Sequence, residues 1–167
     1  MACENFETLN QYSRNFTDPP LKIREAGRGI VVENNRILLT HELNTGVYMS
    51  PGGGLEENET LSDCCVRELR EETGVEVKPI RQFLRIKEYC PECLYVSNYF
   101  ICEKTGECNR SLTETEVEHG AVPEWMEIEK ALELFGEYQT KREDIGSLYL
   151  REYTMLNKYL ALKKIDR

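Results

Sequence analysis

The segment that most restricts how this chain can fold runs from Pro51 to Val75. It opens with Pro51-Gly52-Gly53-Gly54 and passes into a stretch with neither proline nor glycine that ends at Gly74. Thr60 and Asp63 stand three apart in the manner of a capping box, so a helix is predicted from there, with Gly74 as its C-terminal cap. On that helix Glu68, Glu71 and Glu72 are three and four residues apart and project from one face. Three carboxylates so close raise one another's pKa and oppose folding. A hard divalent cation relieves the conflict, and magnesium favours carboxylate oxygens together with waters and phosphates. Glutamates along a helix usually form no more than a solvated face. What argues otherwise here is the order of the residues around them.

From Gly53 the chain reads Gly-Gly-Leu-Glu-Glu-Asn-Glu-Thr-Leu-Ser-Asp-Cys-Cys-Val-Arg-Glu-Leu-Arg-Glu-Glu-Thr-Gly-Val. This resembles the Nudix box, G-x5-E-x7-R-E-U-x-E-E-x-G-U with U aliphatic. It matches at Gly53, Glu59, Arg67, Glu68, Leu69, Glu71, Glu72, Gly74 and Val75. A chance match has a probability on the order of one in ten million. A strand pair before the box, and a Trp125-containing strand leading into a short helix after it, extend the resemblance over roughly residues 22 to 137.

The resemblance implies the Nudix α/β/α sandwich with a mixed sheet, as in MutT-like proteins, and Mg2+-dependent (or Mn2+-dependent) hydrolysis of a pyrophosphate bond in a nucleoside diphosphate linked to another moiety. It assigns the catalytic set to Glu59, Arg67, Glu68, Glu71 and Glu72. Metal ligands would be Glu68, Glu71, Glu72, the carbonyl of Gly52 and an acid from a later loop, Glu118 first and Glu116 next. Arg67 falls off the carboxylate face, where it can clamp Glu59 or orient Glu68. Pro91, 16 residues past the box, resembles a proline of the subgroup acting on ADP-ribose, and is equally well placed for a type I turn. ADP-ribose or another nucleotide sugar is thus the expected substrate. The alternatives are a nucleoside triphosphate pyrophosphohydrolase that cleans the nucleotide pool and a non-catalytic nucleotide-sensing Nudix module. A sensor has no physical need for the full set of Arg67, Glu68, Glu71 and Glu72, so an enzyme is favoured. Pairing of two chains is an expectation of the same resemblance.

Elsewhere the pattern predicts strands at Gly27–Val32 and Arg36–Thr40 around the turn Glu33-Asn34-Asn35. Further strands are predicted at Val75–Val77, Phe83–Tyr89, Leu94–Cys102 and Ala121–Ile128, with a hairpin turn at Cys90-Pro91-Glu92-Cys93. A short helix at Glu129–Leu134 and a C-terminal helix over Ser147–Lys163 follow. Mixed strands and helices mean an α/β or α+β layered domain. Residues 1–20 are polar, lack periodicity and end in Asp18-Pro19-Pro20, and read as a tail or surface arm before one domain over 21–167.

The formal charge of -9 repels the phosphate backbone, so a small nucleotide rather than nucleic acid is the expected partner. Neither a signal-peptide pattern between Met1 and Pro20 nor an apolar run long enough to span a bilayer is present, so membrane association is not expected. Seven cysteines, scattered and odd in number, suit a reduced cytoplasmic protein. The Cys90/Cys93 pair with Cys102 and Cys108 has poor zinc spacing. Cys64 and Cys65 are expected as buried inert thiols, and His41 and His119 as structural or solvent-facing.

Overall fold

The computed structural model describes residues 5–16 and 22–165. The break expected at Asp18-Pro19-Pro20 lies outside them. Strands are β1 (Glu7–Tyr12), β2 (Ile23–Glu33), β3 (Arg36–Glu42), β4 (Val47–Met49), β5 (Gly52–Gly54), β6 (Val75–Tyr89), β7 (Leu94–Glu107) and β8 (Ala121–Glu127). Helices are α1 (Leu61–Thr73), α2 (Glu114–His119), α3 (Ile128–Gly136) and α4 (Glu143–Ile165).

The sheet is mixed, in the order β1-β6-β7-β2-β3-β4, with β5 paired to β2 and β8 to β3. Strands β2 and β3 meet in a tight hairpin at Asn34 and Asn35, whose φ of 49° and 61° asparagine tolerates. On one face α1, through Cys65 and Leu69, closes over Val31, Leu38, Phe100 and Cys102. On the other, α3 and α4 bury Ile30, Leu84, Tyr99, Phe135, Met155 and Leu156. The result is the α/β/α sandwich. Among the described residues no helix is long and apolar enough to cross a membrane.

The structure differs from the sequence reading in five places. Residues 7–12, within the expected arm, form β1 and pair in parallel with β6, from Glu7↔Leu84 to Tyr12↔Tyr89. A polar edge strand with one partner carries little periodic signal. The two strands expected between Val75 and Tyr89 are one strand, with irregularities near Val77, Pro79 and Gln82; a proline in a sheet sits at such a bulge. The glycine loop is itself a strand, β5, and the acidic loop at Thr113 is α2. There the Thr113 side chain caps Glu116 N–H and the Glu116 carboxylate caps Thr113 N–H, a Thr-x-x-Glu signal that was present in the sequence. Helix α4 starts four residues before Ser147.

Candidate active site

Helix α1 forms as its ends dictate. Thr60 accepts a hydrogen bond from Asp63 N–H, and Gly74 closes the C-terminus at φ 70°. It lies unusually close to β2, because Gly27 and Gly29 carry no side chain. A Cβ at Gly27 would come within 2.7 Å of the Leu61 carbonyl, and one at Gly29 within 2.6 Å of Leu69. That approach presses Glu68 and Glu72 against the glycine strand, leaving them 8% and 6% exposed.

Each glutamate has a distinct setting. Glu68 lies flat on Gly53, where an added Cβ would fall 2.5 Å from its carboxylate. Burial pushes its pKa up more than Arg67 pulls it down. Glu72 accepts hydrogen bonds from Gly52 N–H at 2.9 Å and the Thr40 hydroxyl at 3.1 Å. Burial nonetheless raises it to about 8, against the pull of the Gly52 N–H and the Arg28 charge and with help from Glu68 and Glu116. Glu71 is more open, and Arg67 reaches it at 3.3 Å.

Arg67 ties the rim together. Its guanidinium grips both oxygens of Glu59, at 2.8 and 3.0 Å, and donates to Glu68 at 2.7 Å and to the Gly54 carbonyl at 3.0 Å. Those bonds hold the Glu59 carboxyl below its ordinary range. Arg67 thus bonds both partners that its position on the helix allowed.

The structure brings together Gly52, Glu59, Arg67, Glu68, Glu71 and Glu72. Of the two later acids, it is Glu116 whose charge is felt at Glu68 and Glu72, while the Glu118 carbonyl binds Asn44. Among the described residues, no three His, Cys, Asp or Glu side chains close on one point, since Glu68 and Glu71 are drawn onto Arg67. The donor set fits a hard divalent cation all the same: two carboxylates whose pKa burial raises are the groups whose charged form such an ion would stabilise. Residues that the sequence left unmarked also enter the site. Thr40 and Arg28 come from strands, and no motif flags a strand threonine or arginine.

The remaining candidates lie elsewhere. His41 pairs with Glu124 at 3.0 Å and stacks on Tyr48, and His119 pairs with Glu42 at 3.0 Å. Cys90 and Cys93 occupy the β6–β7 turn. Cys102 is instead in the core, its sulfur 3.7 Å from that of Cys65. Cys64 and Cys65 are fully buried, and Cys64 alone of these lies at the site, its thiol donating to the Gly53 carbonyl at 3.3 Å.

The family model described as NUDIX domain matches residues 23–145. Among curated proteins, the NAD-capped RNA hydrolase NudC of Vibrio parahaemolyticus is 39% identical over 84 residues, covering 50% of this chain and 29% of that protein. The ADP-ribose pyrophosphatase of Methanocaldococcus jannaschii is 34% identical over 83 residues, covering 47% of this chain and 49% of that protein. The match therefore spans less than a third of the first relative and about half of the second. Of solved structures, the E. coli ORF135 protein superposes with TM-score 0.61 at 19% identity, over 85% of this chain and 91% of that one. A NUDIX hydrolase from Nitrosomonas europaea superposes with TM-score 0.60 at 20% identity, over 80% and 90%. At these identities the likeness is one of fold.

Proposed function

Because the chain belongs to the Nudix family, we propose that it is a Mg2+-dependent pyrophosphohydrolase acting on a nucleoside diphosphate linked to another moiety, with ADP-ribose as the leading substrate. The observation that carries this reading is the burial of Glu68 and Glu72 against Gly52 and Gly53, beside the half-buried Glu71. Such a set has little value as surface and much as a cation cradle.

When bound, Mg2+ (or Mn2+) supplies charge neutralisation of the pyrophosphate and a water of lowered pKa. Glu68, Glu71, Glu72 and the Gly52 carbonyl would hold it, with Glu116 or Glu118 as the further acid. Arg67 keeps Glu59 and Glu68 in place and, through the nitrogen that bonds Glu68, also reaches Glu71, so its charge offsets the repulsion between these carboxylates. Thr40 and the Gly52 N–H fix the inner oxygen of Glu72 and leave the other free to ligate. Burial strengthens those made by Glu68 and Glu72.

The names of the two curated relatives favour this substrate class over nucleoside triphosphates. NAD and ADP-ribose both contain an adenosine diphosphate joined to a second ribose, so both names point to the same kind of bond. A capped RNA end accordingly stands beside free nucleotides as a substrate for trial. We place the activity in the cytoplasm, in keeping with the free thiols, and in a homodimer, which light scattering would test.

The experiment is a panel of ADP-ribose, NAD, nucleotide sugars and nucleoside triphosphates with Mg2+, with product identification and kcat/KM for each. ADP-ribose is expected to lead, and excess EDTA to abolish turnover. Full activity in EDTA would sink the metal reading. A nucleoside triphosphate preferred by about tenfold would move the chain to the pool cleaners.

A further inference from the structure

The strand that cradles Glu68 and Glu72 is led in by Ser50, a fully buried residue held from two directions. Its hydroxyl donates to Glu152 at 2.6 Å, and its carbonyl accepts from Arg28 at 3.1 Å. The next residues are fixed as well: the Pro51 carbonyl accepts from Gly29 N–H at 3.1 Å, and Gly52 N–H reaches Glu72.

Glu152 lies on α4, on the face of the sheet opposite α1, and has no exposed surface. Its other oxygen accepts from the Arg151 guanidinium at 2.8 and 3.2 Å and from the Tyr99 hydroxyl at 3.3 Å. Arg151 in turn donates to Glu88 at 3.1 Å. Two carboxylates and one guanidinium at this depth are a poor source of stability compared with apolar packing. They do what apolar packing cannot, which is to hold one hydroxyl in one direction. That hydroxyl belongs to the residue two before Gly52, whose φ of 151° and lack of room for a Cβ leave the strand a single path.

We propose that Glu152 is a positioning residue for the active site: oriented by Arg151 and Tyr99, it locks Ser50 and so sets where Gly52 and Gly53 meet Glu72 and Glu68. This rests on the hydrolase reading above. Arg28 extends the chain of contacts, because it binds the Ser50 carbonyl and the Ser97 hydroxyl while its charge acts on Glu72.

The test uses the full chain as wild type, Ser50→Ala, Glu152→Gln and the double variant. Thermal denaturation is followed together with Mn2+ affinity by electron paramagnetic resonance, amide hydrogen exchange of residues 50–54, and kcat and KM separately. Both single variants are expected to bind Mn2+ about tenfold more weakly and to exchange faster at 50–54. Their kcat should fall about tenfold with KM little changed. The double variant should be no worse than the weaker single one, since both break the same contact. A purely structural clamp would lower the melting temperature alone. Folded variants with wild-type Mn2+ affinity, exchange and kcat would overturn the proposal, as would effects that add in the double variant. Should Glu152→Gln not fold, Ser50→Ala decides by the same readouts. If the wild type cleaves no pyrophosphate while Mn2+ affinity and exchange still shift, positioning stands and the hydrolase reading falls.

Discussion

Glu72 combines two demands that conflict in water-free surroundings, burial and negative charge. Replacing it with glutamine keeps the shape and the bonds to Gly52 and Thr40 while removing the charge. Glu72→Gln and Glu71→Gln are each expected to lower turnover by about a hundredfold or more with the fold intact. Near-normal rates in both, measured beside circular dichroism, would place the metal elsewhere. Gly53 is under a different constraint, since a methyl there would occupy the space of the Glu68 carboxylate. Gly53→Ala should therefore displace Glu68, cut kcat by tenfold or so and lower metal affinity, because a ligand is moved rather than lost. An alanine variant with unchanged Mn2+ binding would refute that account. Glu59, Arg67, Glu68, Glu71 and Glu72 were legible in the sequence because one short helix and its lead-in loop carry them all. Thr40, Arg28 and Glu152 were not, because they come from β3, β2 and α4, elements remote from the box along the chain.

At the scale of elements, α1 depends on its ends. Thr60 both accepts from Asp63 N–H and donates to the Asp63 carboxylate, so Thr60→Ala should cost about 1 kcal/mol of stability. Denaturant titration reads this directly, and an unshifted midpoint would mean the cap is dispensable. Helix α2 is held by a reciprocal Thr113/Glu116 box of the same kind and ends at Gly120 in the left-handed region. The same local chemistry that marked α1 was therefore present at α2, but six residues without a buried face produce no periodicity to accompany it. Strand β1 shows the opposite case. Its residues carry no signal of their own, and it exists because β6 offers an unpaired edge.

For the whole molecule, the buried acids make stability depend on pH and on cation. The carboxyls of Glu68 and Glu72 titrate higher in the folded chain than the ordinary value of 4.5, Glu72 at about 8. Across that window the folded state holds more protons than the unfolded one. The Glu72 contribution is complete below 4.5 and is lost as pH rises through about 8, and that of Glu68 is lost in the same direction. In EDTA the melting temperature of the wild type should fall over this range relative to Glu72→Gln, and saturating Mg2+ should restore it most at the alkaline end. Parallel pH profiles for the two proteins would contradict this. The sequence alone determined what is local: the capped helix, its row of glutamates, the glycines that admit them, the Asn34-Asn35 hairpin and, through the spacing of the box, the family. These depend on residues a few positions apart, whose relations survive in any fold that keeps the helix. Tertiary structure alone decided which acids are buried, and that Glu152, 102 residues from Ser50, accepts the Ser50 hydroxyl. Burial and long-range hydrogen bonds arise from the layering of sheet and helices, and no pattern along the chain records which side chains that layering brings face to face.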